Sequence, residues 1–206
     1  MVEQCYLRCV PAILLKYVRK QVSMKIEQTT LKDCLLIRDN VFTDDRGYFF
    51  ESFNKDRFNR ETGLHVDFVQ DNQSHSVKGV LRGLHFQTGE HAQAKLVRVI
   101  KGQVLDVAVD LRKNSPTFGQ YYSVILSETS HTQLFIPRGF GHGFLVLSDV
   151  ADFFYKCDNY YNKASEGGII YNDPAININW QLQSDELLVS AKDQVLPRLN
   201  SYTNLF

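Results

Sequence analysis

The sequence predicts an all-β fold, a jelly-roll barrel, and three observations carry that reading. Short runs of β-branched and aromatic residues recur along the chain, separated by Gly, Pro, Asn and Asp. Some of them alternate at the period of a strand, as Leu105, Val107, Val109 and Leu111 do. Aromatic residues make up 12% of the chain, with ten Tyr and fourteen Phe, which suits an aromatic-lined β core better than a helical bundle.

Taken in order, the chain divides into an N-terminal extension over residues 1–23 and one domain over residues 24–206. The extension is basic and partly apolar, with Pro11 near its middle, and lacks the long apolar run and small-residue site of a signal peptide. It is assigned no role, and Met24 reads as the native start. An apolar run over Leu35 to Val41 is followed by a turn at Asp44-Asp45-Arg46-Gly47. A strand over Tyr48 to Phe53 comes next. Lys55 to Gly63 is the one convincing short helix, with Gly63 as its stop. Phe68 to Ser74 begins as a strand and ends polar. Further strands fall at Val104 to Leu111, Tyr121 to Leu126, Gln133 to Ile136, Phe144 to Leu147 and Asp152 to Cys157. After Asn172-Asp173-Pro174 the tail becomes irregular, with a helical turn near Asp185 to Leu188.

Composition narrows the classes of function. With 23 basic and 23 acidic residues the formal net charge is zero, so nothing marks a nucleic-acid or anionic-membrane surface. No apolar run is long enough to span a bilayer. Cys5, Cys9, Cys34 and Cys157 form no CxxC pair and no disulfide framework, which suits a reducing cytoplasm.

Residues 79–102, GVLRGLHFQTGEHAQAKLVRVIKG, concentrate polar chemistry in an otherwise apolar segment. Arg82, His85, Gln87, Glu90, His91, Lys95 and Arg98 stand where core strands should be apolar. Alternation sends His85 and Gln87 to one face of the first run, and Lys95, Val97 and Val99 to one face of the second. Close together on one sheet, His85 and Lys95 would share a cavity, and a neutral imidazole beside an ammonium suits proton abstraction.

A second signature is FIPRGFGHGFLVL over residues 135–147, in which Pro137, Gly139 and Gly141 form a corner before His142. Together with the strand that carries His85, it resembles the two motifs of the cupin superfamily. Where metal-binding cupins have a second histidine this chain has Gln87, a poor ligand beside imidazoles, and Lys95 adds a cation where a metal would sit.

Longer strings narrow the resemblance. FTDDRGYFFESF, FVQDNQSHSVKGVLRGLHFQ, AKLVRVIKGQVLDVAVDLRKNSPTFG, the run from FIPRGFGHGF through YNDPAI, and Val189-Ser190-Ala191-Lys192-Asp193 are similar to the dTDP-4-dehydrorhamnose 3,5-epimerase family. The likeness runs in one order from about Ile26 to the Pro197 region. It implies a cofactor-independent, metal-free isomerase acting on a dTDP-linked 4-keto-6-deoxy sugar in dTDP-rhamnose biosynthesis, as a homodimer. By the same resemblance His85 is the general base, Asp193 orients it, Tyr155 is the opposing proton donor and Lys95 stabilises the enolate. Arg46, Glu51, Gln70, Asn72, Arg82, Lys95, His142, Glu166 and Lys192 match the positions that hold substrate, with Phe49 or Tyr161 as candidates to stack on thymine. The competing readings are a sibling epimerase acting at one carbon or on another nucleotide sugar, a metal-dependent cupin, and a non-catalytic sugar-binding cupin.

Overall fold

The computed structural model describes residues 24–202 and 205–206, so the proposed extension over residues 1–23, with Cys5 and Cys9, lies outside the described residues. The strands are β1 (Lys25–Gln28), β2 (Leu35–Arg38), β3 (Phe42–Asp44), β4 (Gly47–Phe49), β5 (Gln70–Val77), β6 (Val80–Gln87) and β7 (Lys95–Lys101). They continue as β8 (Gln103–Asp110), β9 (Tyr121–Ser127), β10 (Thr132–Ile136), β11 (Phe140–Val146), β12 (Val150–Cys157), β13 (Glu166–Gly168) and β14 (Leu188–Val189). The helices are α1 (Lys55–Thr62) and α2 (Ala191–Gln194). One sheet has the order β1-β2-β10-β7-β12-β5; the other runs β13-β6-β11-β8-β9, with β14 added beside β6. This is the predicted jelly roll.

Three apolar clusters explain why so many strands are apolar on both faces. Val97, Val99 and Phe153 of the first sheet meet Val104, Ala108, Phe140 and Phe144 of the second in the central core. The outer face of the second sheet, with Leu84, Phe86, Leu105, Val107 and Leu145, is covered by Ile169, Ile176 and Trp180 of the C-terminal tail. The tail that looked irregular is therefore a lid on a sheet, which is why β11 is buried along its whole length. The third cluster lies outside the first sheet, where Phe58 of α1 packs on Leu35, Ile37, Leu96 and Phe135.

α1 matches its sequence signals. Asn54 Oδ1 accepts the Arg57 N–H, and Gly63 ends the helix at φ 71°. Eight residues are too few to hold a helix alone in water. Full burial of Phe58 supplies about 2–3 kcal/mol and fastens it to the sheet.

Four expectations need correction. His85 and Lys95 do not share a sheet: β6 and β7 belong to opposite sheets, so the two side chains approach across the sandwich. The strand expected over Tyr48 to Phe53 stops at Phe49, and Phe50 instead stacks with the Arg98 guanidinium, 5.3 Å from the ring centre. β5 covers Gln70–Val77, shifted into polar sequence, because this edge strand pairs along its full length with β12 and borders the cavity. β11 begins at Phe140 rather than Phe144. Of the glycines in this run only Gly139 has a positive φ (87°); Gly141, expected in the corner, and Gly143 both lie within β11, and at Gly143 a Cβ would stand 2.7 Å from the Arg82 carbonyl oxygen. That close approach aligns His142 with His85 across the β11–β6 pair.

Candidate active site

A cavity of about 340 Å³ opens between the sheets, and its wall includes His85, Lys95, His142, Tyr155 and Glu166. Each reaches it by strand alternation. On β6, Leu84 and Phe86 turn to the tail-covered core, so His85 and Gln87 turn inward. Lys95 opens β7 on the face that further along holds Val97 and Val99.

His85 Nε2 lies 2.7 Å from Asp193 Oδ1. Asp193 sits in α2, where the Ser190 hydroxyl caps its N–H at 3.1 Å, and the parallel pairing of β14 with β6 holds this segment against His85. A buried carboxylate accepting Nε2–H leaves Nδ1 as the basic nitrogen of the ring. Burial lowers the His85 pKa below 6.5; the bond from Asp193 opposes this, and Lys95 and Lys192 add to it. The imidazole is therefore neutral at pH 7 and able to accept a proton.

Lys95 Nζ stands 5.8 Å from the Tyr155 ring centre. Among the described residues no carboxylate lies within ion-pair distance of it. Burial lowers its pKa from 10.5, opposed by Cys157 and then by Asp106. Burial also raises the Tyr155 phenol above 10, so at neutral pH it keeps its proton. A neutral base, a protonated phenol and a lysine amino group thus border one cavity, which is the equipment for moving a proton beside a carbonyl.

The substrate-holding candidates separate into two groups. Gln70, Asn72, Arg82, His142 and Glu166 line the cavity. Gln70 Oε1 accepts the Tyr161 N–H at 3.0 Å, Asn72 Nδ2 donates to Cys157 Sγ at 3.7 Å, and the Arg82 guanidinium donates to Ser76 Oγ. Glu166 bridges Lys192 Nζ at 2.8 Å and the Tyr161 hydroxyl at 3.2 Å, joining three candidates at the rim. Arg46 and Glu51 stand apart. Arg46 pairs with Asp44 on the exposed β3–β4 hairpin, Glu51 pairs with Arg57, and neither borders the cavity of its own chain. Phe49, also on that hairpin, is 71% exposed.

The sequence reading passed over Asp106. It is fully buried and accepts His142 Nε2–H at 2.8 Å. The signal was present: if Leu105, Val107 and Val109 share one face of β8, then Asp106 and Asp110 share the other, and both faces are buried. Gln87, weighed above as a failed metal ligand, accepts the Asn162 N–H at 2.9 Å and so ties β6 to the loop that precedes β13. Among the described residues no three His, Cys, Asp or Glu side chains are grouped to hold one metal ion.

Jelly-roll architecture with a histidine–carboxylate dyad facing a lysine across the barrel defines a cupin-type epimerase. The sequence pattern of the dTDP-4-dehydrorhamnose 3,5-epimerase family matches residues 28–201. A Salmonella typhimurium protein of that name is 54% identical over 178 residues, 86% of this chain and 96% of the relative. The structure of the Elizabethkingia anophelis enzyme of the same name superposes with a TM-score of 0.85 at 52% identity, covering 88% of this chain and 99% of that one. A Legionella pneumophila dTDP-6-deoxy-D-glucose-3,5-epimerase, solved in complex with dTDP-4-keto-L-rhamnose, gives a TM-score of 0.83 at 48% identity, covering 86% and 94%. The chain belongs to the dTDP-4-dehydrorhamnose 3,5-epimerase family.

Proposed function

We infer that this enzyme converts dTDP-4-dehydro-6-deoxy-D-glucose to dTDP-4-dehydro-L-rhamnose by inverting carbons 3 and 5 of the sugar. The observation that carries the mechanism is the dyad of His85 and Asp193 opening on the cavity that Lys95 and Tyr155 also line. Carbons 3 and 5 both flank the 4-keto group, so each C–H is acidified by the same carbonyl. His85 Nδ1 takes the proton, the C–H electron pair moves into the enolate, and negative charge collects on the keto oxygen. Lys95 faces that oxygen and lowers the barrier where charge develops. Tyr155 returns a proton to the opposite face of the carbon, which inverts it. The phenolate then regains a proton and His85 loses one, both by exchange with solvent, so one set of groups serves both carbons.

The rim groups hold the remainder of the substrate. Arg82 and Lys192 supply positive charge for the diphosphate, Arg82 in the planar, forked form suited to phosphate oxygens. Gln70, Asn72 and His142 offer hydrogen-bonding groups for the sugar, and Tyr161 an aromatic face for the base.

The working enzyme in this reading is a homodimer. Arg46 and Phe49, on the exposed β3–β4 hairpin, and Glu51 just beyond it are candidate binding residues that stand outside their own cavity, and a second copy gives them a cavity to enter. Sedimentation at about twice the 23.7 kDa chain mass is expected, and a monomer with full activity would overturn the arrangement. No helix of the described residues is long and apolar enough to cross a membrane, and Cys34 and Cys157 are buried free thiols. Both suit a cytoplasmic enzyme, which cell fractionation checks.

Incubation with dTDP-4-dehydro-6-deoxy-D-glucose in heavy water tests the mechanism. Deuterium should enter carbons 3 and 5, with the inverted product trapped by a reductase. Tyr155→Phe should abolish inversion while retaining some exchange, since His85 still removes and returns protons on its own face. Label at one carbon alone would replace double by single epimerisation, and complete loss of exchange in Tyr155→Phe would end the division of labour between the two faces.

A further inference from the structure

Asp106 is the charged group for which the mechanism above has no role. It lies in β8 with no exposed surface, between Leu105 and Val107, which face the tail-covered core. Its Oδ1 accepts His142 Nε2–H at 2.8 Å. Its Oδ2 is buried as well and accepts no hydrogen bond from any described residue. Burying a carboxylate with one oxygen unpartnered costs stability, so a purely structural role at this position would be better served by an amide or an apolar side chain.

The surroundings suggest what that charge does. Around the cavity the titratable groups facing Lys95 are His85 and Arg82 from β6, Tyr155 and Cys157 from β12, His142 from β11, Glu166 from β13 and Tyr161 from the loop before it, with Asp106 behind His142 and Asp193 behind His85. Three of these are carboxylates: Glu166 is paired with Lys192 at 2.8 Å, Asp193 has both oxygens in hydrogen bonds, to His85 Nε2 and to the Gly83 N–H, and Asp106 keeps one oxygen without a partner. Burial pushes the Cys157 thiol up to about 11, so it carries no charge at neutral pH. Asp106 is thus the anion in this set with a buried oxygen left to balance the Lys95 ammonium.

We propose that Asp106 is a positioning residue: it locks His142 with Nδ1 as its acceptor nitrogen, and it supplies the buried negative charge that keeps Lys95 cationic beneath the keto oxygen. The inference rests on the reading of Lys95 given above. It joins two strands, β8 and β7, that belong to opposite sheets, so the counter-charge comes from across the barrel rather than from a sequence neighbour.

Asp106→Asn is the direct test, because the amide oxygen still accepts His142 Nε2–H while the charge is gone. We expect kcat to fall about tenfold or more with KM changed by less than about threefold. The alkaline limb of kcat should move to lower pH, as Lys95 gives up its proton more readily, and Asp106→Glu should restore the limb. A limb that stays in place in Asp106→Asn would overturn the proposal. Should the variants fail to fold, carbon-13 NMR of the unaltered protein decides. A carboxylate senses the loss of a nearby positive charge, so the Asp106 Cγ resonance should shift at the pH where Lys95 Cε does, and a flat Asp106 trace would overturn the proposal. Full activity in a Lys95 variant would instead remove the reading of Lys95 itself, so the two failures are separable.

Discussion

His85→Ala is expected to abolish deuterium uptake at both carbon 3 and carbon 5 and to lower kcat by roughly 10³-fold or more. Both effects follow from one cause. The neutral His85 imidazole faces the cavity with a buried carboxylate fixing its far nitrogen, and a methyl group accepts no proton. Loss at one carbon only would mean that a second base serves the other, and would break the scheme. The same histidine sets the acid side of the pH profile. Burial holds its pKa below 6.5 in the free enzyme, so kcat/KM should rise through a limb below 6.5 and then level off. The sign is fixed by the base role, since protonated His85 is inactive. A limb lying above 6.5 would show that Asp193 outweighs burial.

Lys95→Met carries the second large effect. Methionine keeps most of the length and volume of the side chain and removes the charge, so the loss reports on electrostatics more than on packing. A fall in kcat of about 10² to 10³ is expected, the size associated with removing one preorganised group from a developing oxyanion. Substrate affinity should change far less, because the keto oxygen carries its full charge only in the enolate. Exchange and inversion should fall together, since both pass through that enolate. Loss confined to KM would reduce Lys95 to a substrate anchor and leave the enolate without its cation.

Residues close in sequence were the legible ones. Helix α1 could be bounded because its cap, its single buried aromatic and its stop all lie within a ten-residue window, Asn54 to Gly63. His85 and Lys95 stood out because polar side chains interrupt apolar strands. Asp193 had no such signal. It lies in a short polar segment 108 residues from His85, and only the resemblance of the surrounding string marked it. Asp106 was hidden for the opposite reason. Alternation along β8 marks Leu105, Val107 and Val109 as its apolar face, but the tail covers that face while the first sheet packs on the other, so Asp106 is buried as well.

By itself, the sequence determined the all-β architecture, the place of most of its strands along the chain and the family, because β periodicity, turn residues and long motif strings are local properties of the chain. It also supplied the chemical types of the proposed reacting groups. Tertiary structure alone decided how those groups meet. It put His85 and Lys95 on opposite sheets, drew the C-terminal segment alongside β6 so that Asp193 reaches the imidazole, and left Arg46 and Glu51 on the outside of their own cavity. The reason is physical. Strand alternation fixes which face a side chain occupies, but which faces become buried, and against what, depends on pairings between segments far apart in the chain.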